Sequence, residues 1–188
     1  YETTHTVVDA LALENGSKAR IAGRLMTMRK FGKLNFAHLR DRSGKGQVSF
    51  KKPELSEEAL LVFENLDGGD FIGVEGTIWQ TKKGEKTLNV ESIEFLAKSM
   101  APLPDKFKGL KDEEAIYRQR YLDILMNDGV QERFELRSKV IRTIRRFLDD
   151  HDFMEVETPI LQAASSGAAA RPFETTHHAL KETLYMRI

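Results

Sequence analysis

The sequence predicts an α+β protein in which a five-stranded β-barrel is followed by a mixed α and β unit. Residues 18–98 contain five runs with the alternating apolar and polar pattern of strands. Residues 130–150 instead repeat apolar residues at helical spacing. Between them, Pro102, Pro104 and Gly109 indicate a stiff connector. We therefore expect domains at residues 1–101 and 113–188, joined by a linker at residues 102–112.

The first half of the chain has three predicted strands, one helix and two further strands. In the first strand Ala19, Ile21 and Leu25 can share one face. The hydroxyl of Ser56 can cap the start of the helix. This order is that of an OB-fold barrel, which binds oligonucleotides on its second and third strands, although a small unrelated barrel could share it. The predicted strands are residues 18–28, 35–40, 47–51, 71–82 and 87–98, and the helix is residues 55–66.

The second half combines helical and strand patterns. Phe134, Ile141 and Leu148 recur every seven residues, which predicts an amphipathic helix over residues 130–150. Pro159 lacks an N–H and is expected to end a short edge strand. The other predicted elements are strands at residues 153–158, 173–177 and 183–188 and a loop of small residues at 167–170.

Charge is balanced over the whole chain but unevenly distributed along it. The 29 Lys and Arg residues equal the 29 Asp and Glu residues. Residues 18–52, however, carry eleven basic residues and one acid, and residues 53–75 carry seven acids and no base. A phosphate backbone responds to the local field. The basic segment therefore favours a nucleic-acid partner, the alternative being a solvated β-surface that happens to be basic.

Other features of the composition narrow the class of protein. No apolar run approaches the roughly 20 residues that span a bilayer. The chain contains no cysteine, which excludes disulfides and fits a reducing cytosol. We therefore expect a cytoplasmic protein with no membrane partner. His177 and His178 would point to opposite faces of a strand, so we expect no metal site there.

Three side chains of the predicted barrel have the chemistry to bind RNA. A base stacked on the aromatic ring of Phe36 would gain roughly 1–3 kcal/mol. The amide of Gln47, on the next strand, can hydrogen-bond a base edge, and Arg29 can hold a phosphate. We predict that these three residues contact RNA. The alternative is that Phe36 belongs to the barrel core.

The segment PLPDKFKGLKDEEAIYRQRYLDILMN, at residues 102–127, resembles the junction of the bacterial-type class II lysyl-tRNA synthetases. IAGRLM at 21–26, FGK at 31–33, NF at 35–36 and GQV at 46–48 are similar to that family's anticodon-binding domain. The resemblance implies an OB-fold anticodon-binding domain followed by an incomplete class II catalytic domain with an antiparallel sheet. It also implies that Phe36 stacks on the anticodon of tRNA(Lys) and that Gln47 reads a uridine. The family's fifth-strand acid aligns with Ser92, beside Glu91.

The second half resembles the same family at two places. EVETP at 155–159 is similar to the end of motif 1, which implies that Pro159 lies at a homodimer interface. SGAAARPF at 166–173 is similar to the loop that borders the amino-acid pocket. That similarity implies that Gly167 and Ala168 contact the amino acid. Ser166 replaces the family's first glycine, and His178 stands where an asparagine is common.

The activity implied by the resemblance is that of a lysine–tRNA ligase. Such an enzyme activates lysine with ATP to lysyl adenylate and transfers it to tRNA(Lys). The family's motif 2 and motif 3 arginines and its Mg²⁺-binding acids would follow Ile188. We therefore expect no catalytic residue within residues 1–188, no ATP or Mg²⁺ bound to them, and no activity from them alone.

Three other functions remain open from the sequence. A class II synthetase specific for aspartate or asparagine would share the barrel, the junction and motif 1. A non-catalytic tRNA-binding module would retain the barrel without the chemistry. A lysine-adding modification enzyme related to the synthetases is disfavoured, because such proteins generally lack the barrel.

Overall fold

The computed structural model describes residues 1–104, 109–165 and 169–188. Contacts divide the chain into two compact units, Tyr1–Leu122 and Asp123–Ile188. The first unit holds a closed barrel, and the second holds a long helix and a three-stranded sheet. The architecture is α+β, which confirms the predicted fold class. None of the helices in these three ranges is long and apolar enough to cross a membrane.

Five strands close the barrel in the order β1-β2-β3-β5-β4. All neighbours are antiparallel except β3 and β5, whose parallel pairing joins the two halves of the sheet. The five-stranded barrel with a helix between its third and fourth strands confirms the OB fold. The strands are β1 Lys18–Arg29, β2 Leu34–Arg40, β3 Lys45–Lys51, β4 Phe71–Gln80 and β5 Lys86–Ala97. The helices are α1 Val7–Ala12, α2 Glu57–Glu64, α3 Glu113–Arg118 and α4 Arg120–Met126, with a 3₁₀ turn at Lys52–Glu54.

The inward faces of the barrel strands form the hydrophobic core. In β1 Ala19, Ile21 and Leu25 are all buried, as the alternating pattern predicted. Phe63 of α2 packs against Phe50 of β3, with ring centroids 4.9 Å apart. Burial of each large apolar side chain contributes about 1.5–3 kcal/mol. The core also contains Leu39, Ile72, Val74, Ile78, Leu88 and Val90.

Two short helices beside the barrel, α1 and α2, are stabilised in different ways. Oγ of Ser56 accepts a hydrogen bond from the N–H of Ala59 at 3.2 Å, which confirms the predicted cap of α2. The sequence pattern does not predict α1, because six residues are too few to form a stable helix alone. Tertiary contacts hold it instead: the N–H of Val7 donates to the carboxylate of Asp41 at 2.8 Å, and Ala10 is fully buried.

A buried carboxylate joins the start of β4 to the end of β5. The side chain of Asp70 is completely buried. It accepts hydrogen bonds from Nζ of Lys98 and from the N–H groups of Asp67 and Ser99, each at 2.8 Å. Burial by itself raises the pKa of Asp70, but the three donors outweigh burial and lower the pKa below its ordinary value of 3.8. The charged form of Asp70 is therefore the form that stabilises the fold.

This arrangement predicts a loss of stability in acid. Because the pKa of Asp70 is lower in the folded chain, its contribution is present above about pH 4 and is lost as the pH falls through the folded-state pKa. Asp70→Asn should lower the free energy of unfolding at neutral pH by about 2 kcal/mol and flatten its dependence on pH below 5. Urea unfolding between pH 2 and 7 measures both effects. Glu94→Gln, at an exposed position on β5, is the control, and an unaltered pH dependence in Asp70→Asn would contradict the assignment.

The second unit contains a helix and a small antiparallel sheet. Helix α5 spans Val130–Asp149, as the sequence predicted. The sheet has the order β6-β8-β7, formed by Leu161–Gln162, Glu182–Met186 and Glu174–His177 respectively. Strands β7 and β8 confirm two predicted strands. The predicted strand at residues 153–158 is wrong, because this segment makes no ladder with a neighbouring strand among the described residues and a strand needs one.

Candidate nucleic-acid interface

An open groove of about 470 Å³ lies on the outer surface of the barrel. Arg29, Phe36 and Gln47, the three residues predicted to contact RNA, all line it. Strand register explains why they meet. Arg29 of β1 pairs with Phe36 of β2, which pairs with Ser49 of β3, two residues beyond Gln47. Because alternate residues of a strand share one face, these side chains emerge on the same side of the sheet.

Phe36 lies on the groove side of β2 and outside the core. Its neighbours Asn35 and Ala37 point inward and are buried, whereas Phe36 is half-buried. The partial exposure leaves ring surface available to a stacked base. The alternative in which Phe36 is a core residue is therefore not what the structure shows. Its contact with RNA remains a prediction.

Gln47 forms part of the groove although only 4% of its surface is exposed. Nη2 of Arg29 donates to its Oε1 at 3.2 Å, and its Nε2 donates to Oγ1 of Thr87 at 2.9 Å. These bonds satisfy one acceptor site and one donor of the amide, as burial requires. Among the described residues, no further hydrogen bond engages the other lone pair and the other N–H of this amide.

The hairpin between β4 and β5 supplies groove residues that the sequence analysis did not select. Trp79, Lys82, Lys83 and Glu85 all line the groove. The indole N–H of Trp79 donates to Oγ of Ser49 at 3.0 Å, which anchors the ring against β3. OB folds use the loop between their fourth and fifth strands in binding, so that general rule could have identified this hairpin.

The acid that the structure places at the groove is Glu85, directly before β5. Glu91 instead binds Nζ of Lys18 at 3.2 Å and the hydroxyl of Thr77. The Thr77 hydrogen bond, followed by Lys18, lowers the pKa of Glu91 below 4.5. Ser92 is exposed and does not line the groove. Glu91 and Ser92, which are not among the residues predicted to contact RNA, thus lie outside the groove.

Positive charge predominates among the ionic side chains of this groove. Arg29, Lys82 and Lys83 contribute three cations, and Glu85 contributes one acid. An aromatic ring, an amide and cations along one groove are the combination with which proteins bind single-stranded nucleic acid. Stacking, base-edge hydrogen bonding and phosphate contacts can each be supplied here by a different side chain.

Of the site residues predicted in the second half, the structure describes only Pro159. Pro159 is exposed and follows a segment without strand pairing. Gly167 and Ala168 lie outside the described residues. Helix α5 exposes an apolar stripe formed by Val140, Ile141, Ile144, Phe147 and Leu148. Over residues 1–104, 109–165 and 169–188, no group of three or more histidine or acidic side chains could hold a metal ion.

Comparisons with known proteins find a match for each half of the chain. The family model for an OB-fold nucleic acid binding domain matches residues 19–96, and that for class II tRNA synthetases (D, K and N) matches residues 112–188. The chain is 50% identical over 175 residues to the lysine–tRNA ligase of Pediococcus pentosaceus, covering 93% of this chain and 35% of the relative. It is 49% identical over 191 residues to the lysine–tRNA ligase of Carboxydothermus hydrogenoformans, a match that covers 100% of this chain and 39% of the relative. It is 48% identical over 190 residues to the lysine–tRNA ligase of Clostridium novyi, a match that covers 100% of this chain and 37% of the relative.

The chain therefore combines an OB-fold nucleic acid binding domain with part of a class II tRNA synthetase domain (D, K and N). Within that class the chain is similar to lysine–tRNA ligases, at about half identity along nearly all of its length. The chain spans 35–39% of the length of those relatives.

Proposed function

We propose that the whole protein is a lysine–tRNA ligase and that the barrel of this chain binds the anticodon loop of tRNA(Lys). The observation that carries the proposal is the groove in which Arg29, Phe36 and Gln47 meet. Relatives at about half identity carry the name lysine–tRNA ligase, which supports lysine as the amino acid.

In this proposal each groove side chain has a separate task. Phe36 stacks on an anticodon base, which contributes roughly 1–3 kcal/mol. The free lone pair and N–H of Gln47 read the edge of a uridine. Arg29 holds Gln47 and adds positive charge, while Lys82 and Lys83 approach the loop phosphates.

The second half contributes to the synthetase domain in the proposed enzyme. The exposed apolar stripe of α5 and the segment ending at Pro159 would meet a second copy in a homodimer. Gly167 and Ala168 would border the lysine pocket. ATP would supply the adenylyl group to the lysine carboxylate, with pyrophosphate as the leaving group, and Mg²⁺ would offset the phosphate charge. None of the described residues of this chain is assigned to the metal. The cytosol is the compartment in which such an enzyme would act.

Aminoacylation by the full-length gene product tests the proposal directly. The enzyme should charge tRNA(Lys) with lysine and should leave aspartate and asparagine uncharged on their own tRNAs. Aspartate or asparagine is the second candidate, because the matched family model covers all three specificities. Charging with either of those amino acids in place of lysine would contradict the proposal.

The proposed phosphate contacts predict a measurable salt dependence. Lys82→Ala should weaken binding of an RNA stem-loop that carries the tRNA(Lys) anticodon. It should also reduce the slope of log K against log salt by about 0.7, the value for one phosphate contact on a single strand. Fluorescence anisotropy across a salt series measures the slope. Lys18→Ala, on β1 and outside the groove, is the matched control, and equal slopes in the two variants would contradict a phosphate contact at Lys82.

A further inference from the structure

The amide of Gln47 is held from two sides by groups whose hydrogen-bonding roles are fixed. Arg29 can only donate, and its Nη2 lies 3.2 Å from Oε1 of Gln47. Oγ1 of Thr87 gives its one hydrogen to the backbone carbonyl of Glu85 at 3.3 Å. The hydroxyl must therefore accept the bond from Nε2 of Gln47, at 2.9 Å. Exchanging the amide oxygen and nitrogen would set an N–H against the guanidinium of Arg29 and would require the hydroxyl of Thr87 to leave the carbonyl of Glu85.

A fixed amide can distinguish two bases that a rotating amide would accept equally. Uracil presents an N3–H donor beside the O4 acceptor, whereas cytosine presents an N3 acceptor beside the N4 amino donor. If uracil and cytosine stack on Phe36 in the same pose, the order of donor and acceptor along the base edge is therefore reversed between the two bases. The free edge of Gln47 offers one acceptor and one donor in a set order, and it can match only one of the two bases.

We propose that Thr87 is a positioning residue that makes the barrel prefer uridine over cytidine by locking the amide of Gln47. The inference rests on the proposed reading of the anticodon. Thr87 is fully buried and is paired with Gln47 in the β3–β5 ladder. Because it is buried, Thr87 cannot touch RNA itself, and its side-chain bond to Gln47 is the link to a base-reading group.

The test compares Thr87→Val, which removes the hydroxyl but keeps the branched shape, with Thr87→Ser, which retains the hydroxyl. Each form of the chain is titrated with a stem-loop RNA carrying the tRNA(Lys) anticodon and with the same RNA in which the middle uridine is cytidine. The ratio of the two affinities should favour uridine in the wild type and in Thr87→Ser. In Thr87→Val it should fall roughly tenfold, the loss expected for one base-reading contact. An unchanged ratio in Thr87→Val, with both affinities reduced equally, would overturn the inference.

A second measurement needs no RNA and separates this inference from the proposed function. The two side-chain amide protons of Gln47, assigned by their loss in Gln47→Glu, should exchange slowly with solvent in the wild type and in Thr87→Ser. In Thr87→Val they should exchange faster, and their chemical shifts should move toward those of an exposed glutamine. Thr87→Ala replaces Thr87→Val if the latter does not fold. Unaltered signals would overturn the positioning role alone. A locked amide in a wild-type chain that shows no preference for uridine would overturn the proposed anticodon reading as well.

Discussion

Replacing Gly76 with alanine is expected to lower the free energy of unfolding by about 3 kcal/mol, at the upper end of the cost of overpacking. A Cβ atom at this position would lie 1.9 Å from the carbonyl oxygen of Asn89 and 2.8 Å from its carbonyl carbon. Both atoms belong to the backbone of β5, so no side-chain rotation can relieve the clash. The register of β4 and β5 also shifts between Glu75 and Gly76, and that irregularity brings the two backbones together.

Gly68→Ala is the matched control for this prediction. A Cβ at Gly68 would meet no atom within 4 Å, and its backbone is not left-handed, so the substitution should change stability little. Thermal unfolding should show a midpoint lowered by roughly 10 °C for Gly76→Ala and by much less for Gly68→Ala. Equal midpoints for the two variants would show that β4 and β5 do not approach as closely as described.

Phe36→Ala is expected to weaken binding of the anticodon stem-loop by roughly 5- to 150-fold, which corresponds to the loss of one stacked base. The ring is half-buried on the groove side of β2, and its removal leaves the inward-facing core untouched. The stability of the barrel should therefore fall by less than about 1.5 kcal/mol, the lower limit for a fully buried apolar side chain. A large binding defect with a small stability defect distinguishes a ligand contact from a core residue.

Phe71→Ala serves as the control on the same barrel. Phe71 lies at the start of β4, is 38% exposed, and stacks beneath the guanidinium of Arg24, 4.3 Å from the ring centroid. It does not line the groove, so its loss should leave RNA affinity unchanged. Titration of both variants with the same stem-loop, together with urea unfolding, gives the comparison. A destabilised Phe36→Ala chain with wild-type affinity would place Phe36 among the structural residues.

Most of the barrel could be predicted from local patterns. Alternation placed Ala19, Ile21 and Leu25 inside, and Ser56 marked the start of α2 because its cap is a contact between near neighbours. Helix α1 could not be predicted, since it depends on Asp41 from a distant turn. The strand expected at residues 153–158 was wrong because strand formation is decided by the partner ladder and not by the segment itself.

At the candidate site too, some residues could be identified from the sequence, whereas others depend on contacts between distant segments. Residue chemistry and family resemblance identified Arg29, Phe36 and Gln47, and the register of β1, β2 and β3 brings them together. Trp79 and Glu85 were missed because their place in the groove depends on how the β4–β5 hairpin meets the other strands. The bond from Gln47 to Thr87 joins residues 40 positions apart, and no sequence pattern indicates it.

The central claim is that this groove binds the anticodon loop, and NMR titration of the chain with the anticodon stem-loop tests it most directly. The account predicts chemical-shift changes at the backbone amides of Phe36 and Gln47 and at the indole N–H of Trp79. It also predicts little change along α5. Shift changes confined to α5, or an absence of change at the three groove residues under saturating RNA, would contradict it.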